Sequence, residues 1–238
     1  MQAGRRPPPL SIGSPLPSRP PLVLALDTGS PVSSVALARA DRVLAQGTVE
    51  RAATSETLLA LVDAVLVEAG AAPAELDAVC VLRGPGSFTG LRIGLATALG
   101  LQQALGLRAA AMPTLRVLAE AAAADRVVAA VDALRGEWFV QAFRRRTALE
   151  PEGPPELLRP EGLRVPEGAV LVGFDVGRLA AAAGLDAVRV VVPEALAPVA
   201  ARLAARWPEW DPALLCAPLY LRPAPATAPG LRRAVDPT

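Results

Sequence analysis

The amino-acid sequence contains no histidine, no lysine and no asparagine, and all 24 of its cationic residues are arginines. Histidine metal sites, Ser–His and Cys–His nucleophile pairs, Schiff-base lysines and phosphate-loop lysines each need a side chain that is missing here. Those chemistries are therefore excluded within the chain, as is a metallopeptidase with the HExxH spacing. Any catalysis would depend on Asp, Glu, Ser, Thr, Tyr, Cys or Arg.

Cysteines and long apolar runs are also scarce. Cys80 and Cys216 lie far apart and form no CxxC pair, so two reduced, buried thiols are expected. Although 52% of the residues are hydrophobic, charge, Gly or Pro interrupts every stretch long enough to cross a bilayer. The Pro-rich segment 1–21 lacks the apolar core of a signal peptide. We expect this segment to be a disordered leader or the product of an over-long gene start, and the protein to be cytoplasmic.

A strong charge of either sign is missing as well, since the net charge is +1. A broad nucleic-acid-binding face normally has a clear basic excess, so the composition disfavours one. The run Arg144-Arg145-Arg146 could contact nucleic-acid phosphates, but the solvated end of a strand is the favoured interpretation.

Short apolar runs alternate with longer helical patterns, which predicts an α/β fold. Thr54 or Ser55 is the expected N-cap of the first helix, and Gly70 is its expected end. Ser87 and Gly106 have the same roles for the second helix. The elements predicted for the first half are strands at 22–26, 34–38, 43–49 and 79–82 and helices at 54–69 and 89–105.

The second half repeats the beginning of the first. Asp27 and Asp132, 105 residues apart, each follow an apolar strand and open a turn into a partner strand. Two similar α/β lobes are therefore expected, with chance similarity between two apolar strands as the alternative. The further predicted elements are strands at 127–131, 138–143, 169–172 and 188–192 and helices at 176–183 and 195–206. The expected boundaries are a first lobe at 22–107, a second lobe at 108–222 and a flexible tail at 223–238.

The turn that begins at Asp27 could bind a nucleotide. Asp27 and Thr28 lie at the carboxyl end of a buried strand, where the carboxylate could hold Mg²⁺ while backbone N–H groups approach phosphates. An ordinary turn is at least as well supported. Asp132 is the matching residue of the second lobe, and the Arg92 guanidinium can bind carboxylate or phosphate through two hydrogen bonds. The candidate nucleotide or phosphate ligands are Asp27, Thr28, Arg92 and Asp132.

Both first-lobe helices carry more apolar surface than one sheet contact requires. On the second helix, small residues recur every fourth position beside a leucine stripe, and the first helix has a broad apolar arc. We expect a second chain to dock there, with packing inside the lobe as the alternative. The candidate partner-binding residues are Leu58, Val62, Val65, Gly90, Leu91, Gly94, Leu95 and Ala98.

The segment 83–94, RGPGSFTGLRIG, resembles the signature of the TsaB (YeaZ) family of tRNA threonylcarbamoyladenosine biosynthesis proteins. Four further segments are similar to other parts of the family pattern: the opening strand, the link into the second lobe, the second hairpin and the closing segment. The resemblance therefore covers residue 22 to about residue 222. The four segments are 24–28, 112–115, 131–137 and 218–222.

The resemblance implies an actin-like (ASKHA) fold, shared with sugar kinases and Hsp70-type ATPases, in agreement with the duplicated lobes. It implies a non-catalytic subunit that pairs with the catalytic paralogue TsaD, is joined by the ATPase TsaE, and forms a homodimer when alone. That complex transfers threonylcarbamoyl from threonylcarbamoyl-adenylate to N6 of the adenosine 3′ to the anticodon in ANN-decoding tRNAs. The chain would meet tRNA through the complex and would have no contact with a membrane.

The family pattern also bears on cofactors. TsaD holds its metal through a His-x-x-x-His pair, which this chain cannot build. No cofactor is therefore expected, although weak Mg-nucleotide binding at an interface stays open. The chain departs from many relatives at 51–56, which reads RAATSE where Arg-Glu-His-Ser is common. The competing hypothesis is an actin-like ATPase or small-molecule kinase that uses Asp27, Thr28 and Asp132 around Mg-nucleotide.

Overall fold

The computed structural model describes residues 19–50, 54–204, 206–207 and 210–221. The predicted tail after residue 222, most of the predicted leader and the capping side chains expected at Thr54 and Ser55 lie outside this description. Among the described residues, none of the helices has both the length and the apolar character needed to cross a membrane.

Five strands form the first sheet, and two helices cover one of its faces. These elements are β1 (Leu22–Asp27), β2 (Val32–Arg39), β3 (Arg42–Glu50), α1 (Thr54–Glu68), β4 (Ala78–Leu82), α2 (Phe88–Leu105) and β5 (Arg108–Met112). The strand order is β3-β2-β1-β4-β5. β1 pairs with β2 antiparallel and with β4 parallel.

The second sheet repeats this topology. Its elements are α3 (Thr114–Ala121), β6 (Arg126–Asp132), β7 (Trp138–Arg145), β8 (Leu149–Pro151), β9 (Glu156–Leu158), β10 (Val170–Val172), α4 (Val176–Ala182), β11 (Val190–Val191) and α5 (Ala197–Ala204). The order is β11-β10-β6-β7-β8, and β9 also pairs with β7. β6 pairs with β7 antiparallel and with β10 parallel, as β1 does with its own neighbours. The duplicated two-lobe fold predicted from the sequence is confirmed.

Three apolar clusters hold these elements in layers. The first lies between the first sheet and the helices α1 and α2. The second is shared by both sheets and encloses α3 and α5, and the third lies between the second sheet and α4. Because β1 is covered on both faces, its apolar run is continuous: Leu24 faces the first cluster and Ala25 faces the shared one.

The lobe boundary differs from the predicted one. β5 pairs with β4 in parallel, so the first sheet extends through Met112 rather than ending at residue 107. In addition, α5 contacts β1 and β2, although it belongs to the second half of the chain. The backbone N–H of Ala197, at the start of α5, donates to the Ser34 hydroxyl oxygen at 3.2 Å. The end of the second half therefore helps to bury the first sheet.

Candidate functional site

Asp27 ends β1, and its carboxyl group is fully buried. Oδ1 accepts hydrogen bonds from the backbone N–H groups of Gly29 at 3.1 Å and Ser30 at 3.2 Å. Oδ2 is buried and has no hydrogen-bond partner among the described residues. Burial raises the pKa of Asp27 from its ordinary value of 3.8 to about 6, although hydrogen bonds from Ser30 and Gly29 oppose the shift.

The beginning of α2 covers the turn that follows this carboxylate. The backbone N–H of Ser87 donates to the Gly29 carbonyl oxygen at 2.8 Å, and the Thr28 hydroxyl donates to the Gly90 carbonyl oxygen at 2.7 Å. Glycine permits the approach, because a Cβ on Gly90 would overlap the Thr28 carbonyl oxygen and one on Gly94 would overlap the Thr28 hydroxyl. Residues 27–30 are all buried, so a phosphate has no open approach to the turn in this conformation.

Asp132 occupies the matching position in the second lobe, and its side chain is 32% exposed. Its Oδ1 accepts a hydrogen bond from the backbone N–H of Leu134 at 2.7 Å, and its Oδ2 pairs with Arg178 at 2.6 Å. The Arg178 guanidinium also lies over the Trp138 ring, 5.1 Å from its centroid. The charge of Asp132 is thus matched within the chain, and the carboxylate orders its hairpin turn.

The four candidate nucleotide ligands have different immediate partners. Arg92 donates through Nε to the Tyr220 hydroxyl at 3.2 Å. In the part of the chain that the structure describes, no hydrogen bond or ion pair joins any two of Asp27, Arg92 and Asp132. No group of three or more His, Cys, Asp or Glu residues there is placed to hold a metal ion. Nucleotide binding at these residues stays a prediction.

The candidate partner-binding residues are buried within the chain, and their role in docking stays a prediction. The small residues of α2 bring it so close to the first sheet that both of its stripes are used in internal packing. α1 and the 3-10 turn Pro212–Cys216 contact α2 as well. None of these residues presents a surface to another chain in this conformation. They are Leu58, Val62, Val65, Gly90, Leu91, Gly94, Leu95 and Ala98.

The opposite sides of the same two helices carry exposed apolar side chains. On α1, Leu59 is 59% exposed and Val67 is 79% exposed, and on α2 the values are 52% for Phe88 and 37% for Leu105. Because α1 and α2 contact each other, these four side chains belong to one helical layer. We refer to them as the outer helix face.

Sequence reasoning missed a cluster at the beginning of α2. The rings of Phe88 and Tyr220 stack with centroids 5.1 Å apart, and the Arg92 guanidinium lies 3.8 Å from the Phe88 centroid. The backbone N–H of Leu219 donates to the Arg83 carbonyl oxygen at 2.7 Å, so the closing segment returns to the first lobe. The signal available in the sequence was the scarcity of aromatic residues, which are four Phe, three Trp and one Tyr.

Comparisons with known proteins agree with this architecture. A family model described as TsaD, tRNA N6-adenosine threonylcarbamoyltransferase, matches residues 48–151. The Escherichia coli tRNA threonylcarbamoyladenosine biosynthesis protein TsaB is 35% identical over 127 residues, which are 52% of this chain and 55% of that protein. The chain thus spans about half the length of this curated relative.

Solved structures match over more of the chain. A Pseudomonas aeruginosa protein with similarity to peptidase YeaZ superposes with a TM-score of 0.71 at 30% identity, covering 85% of this chain and 100% of that one. Component A of the Acidaminococcus fermentans (R)-2-hydroxyglutaryl-CoA dehydratase matches with a TM-score of 0.50 at 9% identity, covering 78% and 99%. This second likeness concerns the fold alone.

Two sheets of matching topology, each with an aspartate at the turn of its first hairpin, define an actin-like two-lobe protein. In this one, the first aspartate is enclosed and the second is paired with arginine. Within that class, the chain belongs to the TsaB (YeaZ) family.

Proposed function

We propose that the protein is a non-catalytic accessory subunit in the formation of threonylcarbamoyladenosine on tRNA. The observation that carries this proposal is the enclosed turn at Asp27, where the beginning of α2 packs directly against Thr28 and Gly29 and the turn is buried. The chain also lacks the histidines that a TsaD-type metal site requires. Membership of the TsaB family supports the assignment to this modification.

The proposed partners follow from the same family. A TsaD-like catalytic subunit would dock on this chain, and a TsaE-like ATPase would join the pair. The complex would transfer threonylcarbamoyl to N6 of the adenosine 3′ to the anticodon in ANN-decoding tRNAs. In the absence of TsaD, a second copy of this chain would cover the same surface and give a homodimer.

The outer helix face is the proposed docking surface. Leu59 and Val67 lie two turns apart on α1 and are more than half exposed, so none of the described residues covers them fully. Phe88 and Leu105 extend the apolar area along α2. Apolar and aromatic side chains grouped on adjacent helices are typical of the buried centre of a protein–protein interface.

A charge placed on this surface tests the proposal. We expect Leu59→Glu together with Val67→Glu to abolish co-purification with a TsaD-like subunit and to reduce tRNA modification by the reconstituted complex at least tenfold, because a carboxylate in an apolar interface loses its hydration. Val192→Glu is the matched control, since Val192 is 56% exposed but lies in the second lobe. Normal assembly and modification with the double variant would contradict the proposal.

A second candidate is the actin-like ATPase or kinase, and one observation favours it. Oδ2 of Asp27 is buried without a hydrogen-bond partner among the described residues. If α2 moved away, this oxygen could bind Mg²⁺ of a bound nucleotide. Isothermal titration calorimetry of the isolated protein with ATP and Mg²⁺ distinguishes the two candidates. Micromolar binding with turnover would favour the enzyme over the accessory subunit.

A further inference from the structure

We propose that the second lobe carries a binding surface for the phosphate backbone of tRNA, formed by arginines at one end of the second sheet. The inference rests on the proposed role in tRNA modification and names the part of this chain that would meet the RNA. We refer to these six residues as the arginine cluster. They are Arg116 on α3, Arg126 at the start of β6, Arg144 and Arg145 at the end of β7, Arg146 directly after it and Arg206 after α5.

Glu120 brings several of these elements together. Its carboxylate pairs with Arg116 of the same helix at 2.8 Å, with Arg145 of β7 at 3.1 Å and with Arg206 at 3.7 Å. Arg126 lies directly opposite Arg144 in the β6–β7 pairing. One acidic group therefore anchors arginines from three parts of the sequence at one end of the second sheet.

Arginines outnumber acidic residues in the segments that form this end of the second sheet. The Glu120 carboxylate is 6% exposed; burial opposes its ionisation, but hydrogen bonds from Arg145 and Arg116 hold its pKa below the ordinary 4.5. Asp125 precedes Arg126, and Glu150 lies opposite Arg144. Segments 114–126 and 144–150 contain five of the six arginines and three acids, whereas the whole chain has a net charge of only +1.

The cluster also has unused binding capacity. Within the described residues, the guanidinium groups of Arg126, Arg144 and Arg146 make no hydrogen bond or ion pair, and Arg144 and Arg146 are exposed. A guanidinium group binds a phosphate through two parallel hydrogen bonds. Strand alternation puts Arg144 on the opposite sheet face from Arg145, so a phosphate chain that contacts both would run across the end of the sheet.

The surroundings favour RNA over an acidic protein as the occupant. A stable protein interface usually has an apolar centre with aromatic or aliphatic anchors. None of the large exposed hydrophobic side chains of the described residues lies within 114–126 or 144–150. Phosphate contacts need no such anchor, because charge neutralisation and counterion release supply the affinity. The outer helix face lies on first-lobe helices, so the two surfaces share no residue.

The test is the binding of an unmodified ANN-decoding tRNA transcript to the full chain, measured by fluorescence anisotropy over a range of salt concentrations. We expect Arg144→Gln with Arg146→Gln to weaken binding roughly tenfold at about 50 mM salt and to lower the slope of log K against log salt by about 1–2. The control is Arg159→Gln with Arg189→Gln, since both residues are exposed in the second lobe outside the cluster. It should bind as the wild type does, and both double variants should keep the wild-type melting temperature.

Equal affinities and slopes for the two double variants would overturn the inference, and so would a wild-type chain that fails to bind tRNA at low salt. Stronger binding to phosphatidylglycerol vesicles than to tRNA, lost in Arg144→Gln with Arg146→Gln, would overturn the assignment to RNA. The outcome is separable from the test of the proposed function. Loss of TsaD docking in Leu59→Glu with Val67→Glu should leave tRNA binding by the isolated chain unchanged.

Discussion

Asp27 is an acidic side chain in an environment that opposes its charge. Its carboxyl group is fully buried, and one of its oxygens receives no hydrogen bond from the described residues. The backbone N–H groups of Gly29 and Ser30 stabilise the other oxygen. These hydrogen bonds do not replace the lost hydration, so the pKa of Asp27 rises to about 6.

This shift predicts a pH dependence of folding stability. Because the pKa of Asp27 is higher in the folded protein, about 6 against an ordinary 3.8, the folded state holds the proton more tightly. The free energy of unfolding should therefore fall by up to about 3 kcal/mol as the pH rises from 4 to 7, relative to a variant without this carboxyl group. Urea unfolding of the wild type and Asp27→Asn across this range measures the difference.

The variant keeps the oxygen that accepts from Gly29 and Ser30 but cannot ionise. The new amide group shifts the free energy of unfolding by the same amount at every pH, so the test compares only how the two free energies change with pH. Parallel stability profiles for the two proteins between pH 4 and 7 would mean that Asp27 has an ordinary pKa.

At the scale of elements, the contact between α2 and β1 depends on glycine. The backbone of α2 packs against the turn that follows β1. The Ser87 N–H donates to the Gly29 carbonyl oxygen, and the Thr28 hydroxyl donates to the Gly90 carbonyl oxygen. Any side chain at Gly90 would meet backbone atoms, which cannot rotate away. α2 can therefore come this close to Thr28 only because Gly90 and Gly94 lack a Cβ.

Two glycines of α2 should respond in opposite directions to the same substitution. We expect Gly90→Ala to lower the free energy of unfolding by about 1–3 kcal/mol, because the new methyl group overlaps the Thr28 carbonyl oxygen. Gly100→Ala should raise it by about 0.5–1 kcal/mol, since nothing lies within 4 Å of that position and alanine favours a helix. Chemical denaturation measures both values. A neutral Gly90→Ala variant would contradict the close packing of α2.

The helices α1 and α2 also show why hydrophobic spacing did not separate buried apolar side chains from exposed ones. Hydrophobic spacing placed Leu58 and Gly94 on the apolar arcs of their helices. The spacing does not show which part of an arc packs against the chain's own sheet. The close approach of α2 uses the small residues internally. Leu59 and Val67 are exposed to solvent, although the sequence pattern suggested only that they lie at the edge of the apolar arc.

For the whole molecule, the shared core predicts that the two lobes unfold together. That core contains residues of both sheets and encloses α3 and α5 between them. Exposing either sheet alone would uncover the apolar face of the other, so neither lobe is an independent folding unit.

A substitution in α5 tests this cooperativity. We expect Leu203→Ala to lower the free energy of unfolding by about 2–5 kcal/mol, because Leu203 is 3% exposed within the shared core. Tryptophan fluorescence and far-ultraviolet circular dichroism should follow one common transition in the wild type and in the variant. Arg202→Ala, at an exposed position of α5, is the control. Two separate transitions would show that the lobes unfold independently.

The sequence by itself determined the local elements and the duplication. Apolar runs that end in aspartate marked β1 and β6, while Ser87 and Gly106 marked the two ends of α2. These signals can be recognised in short segments. A helix cap involves residues within one turn, and a strand buried on both faces has a continuous apolar run. The family resemblance depended on the same local segments, which is why it could be recognised before the fold was known.

Only the tertiary structure decided how those elements share surfaces. β5 is a short alanine-rich strand and α3 has only eight residues, and neither was predicted from the sequence; the first sheet therefore extends to Met112, beyond the predicted boundary at residue 107. The enclosure of Asp27 by α2 and the gathering of distant arginines around Glu120 join residues far apart in the sequence. Such contacts depend on the packing of whole layers, and no periodicity within a single element encodes them.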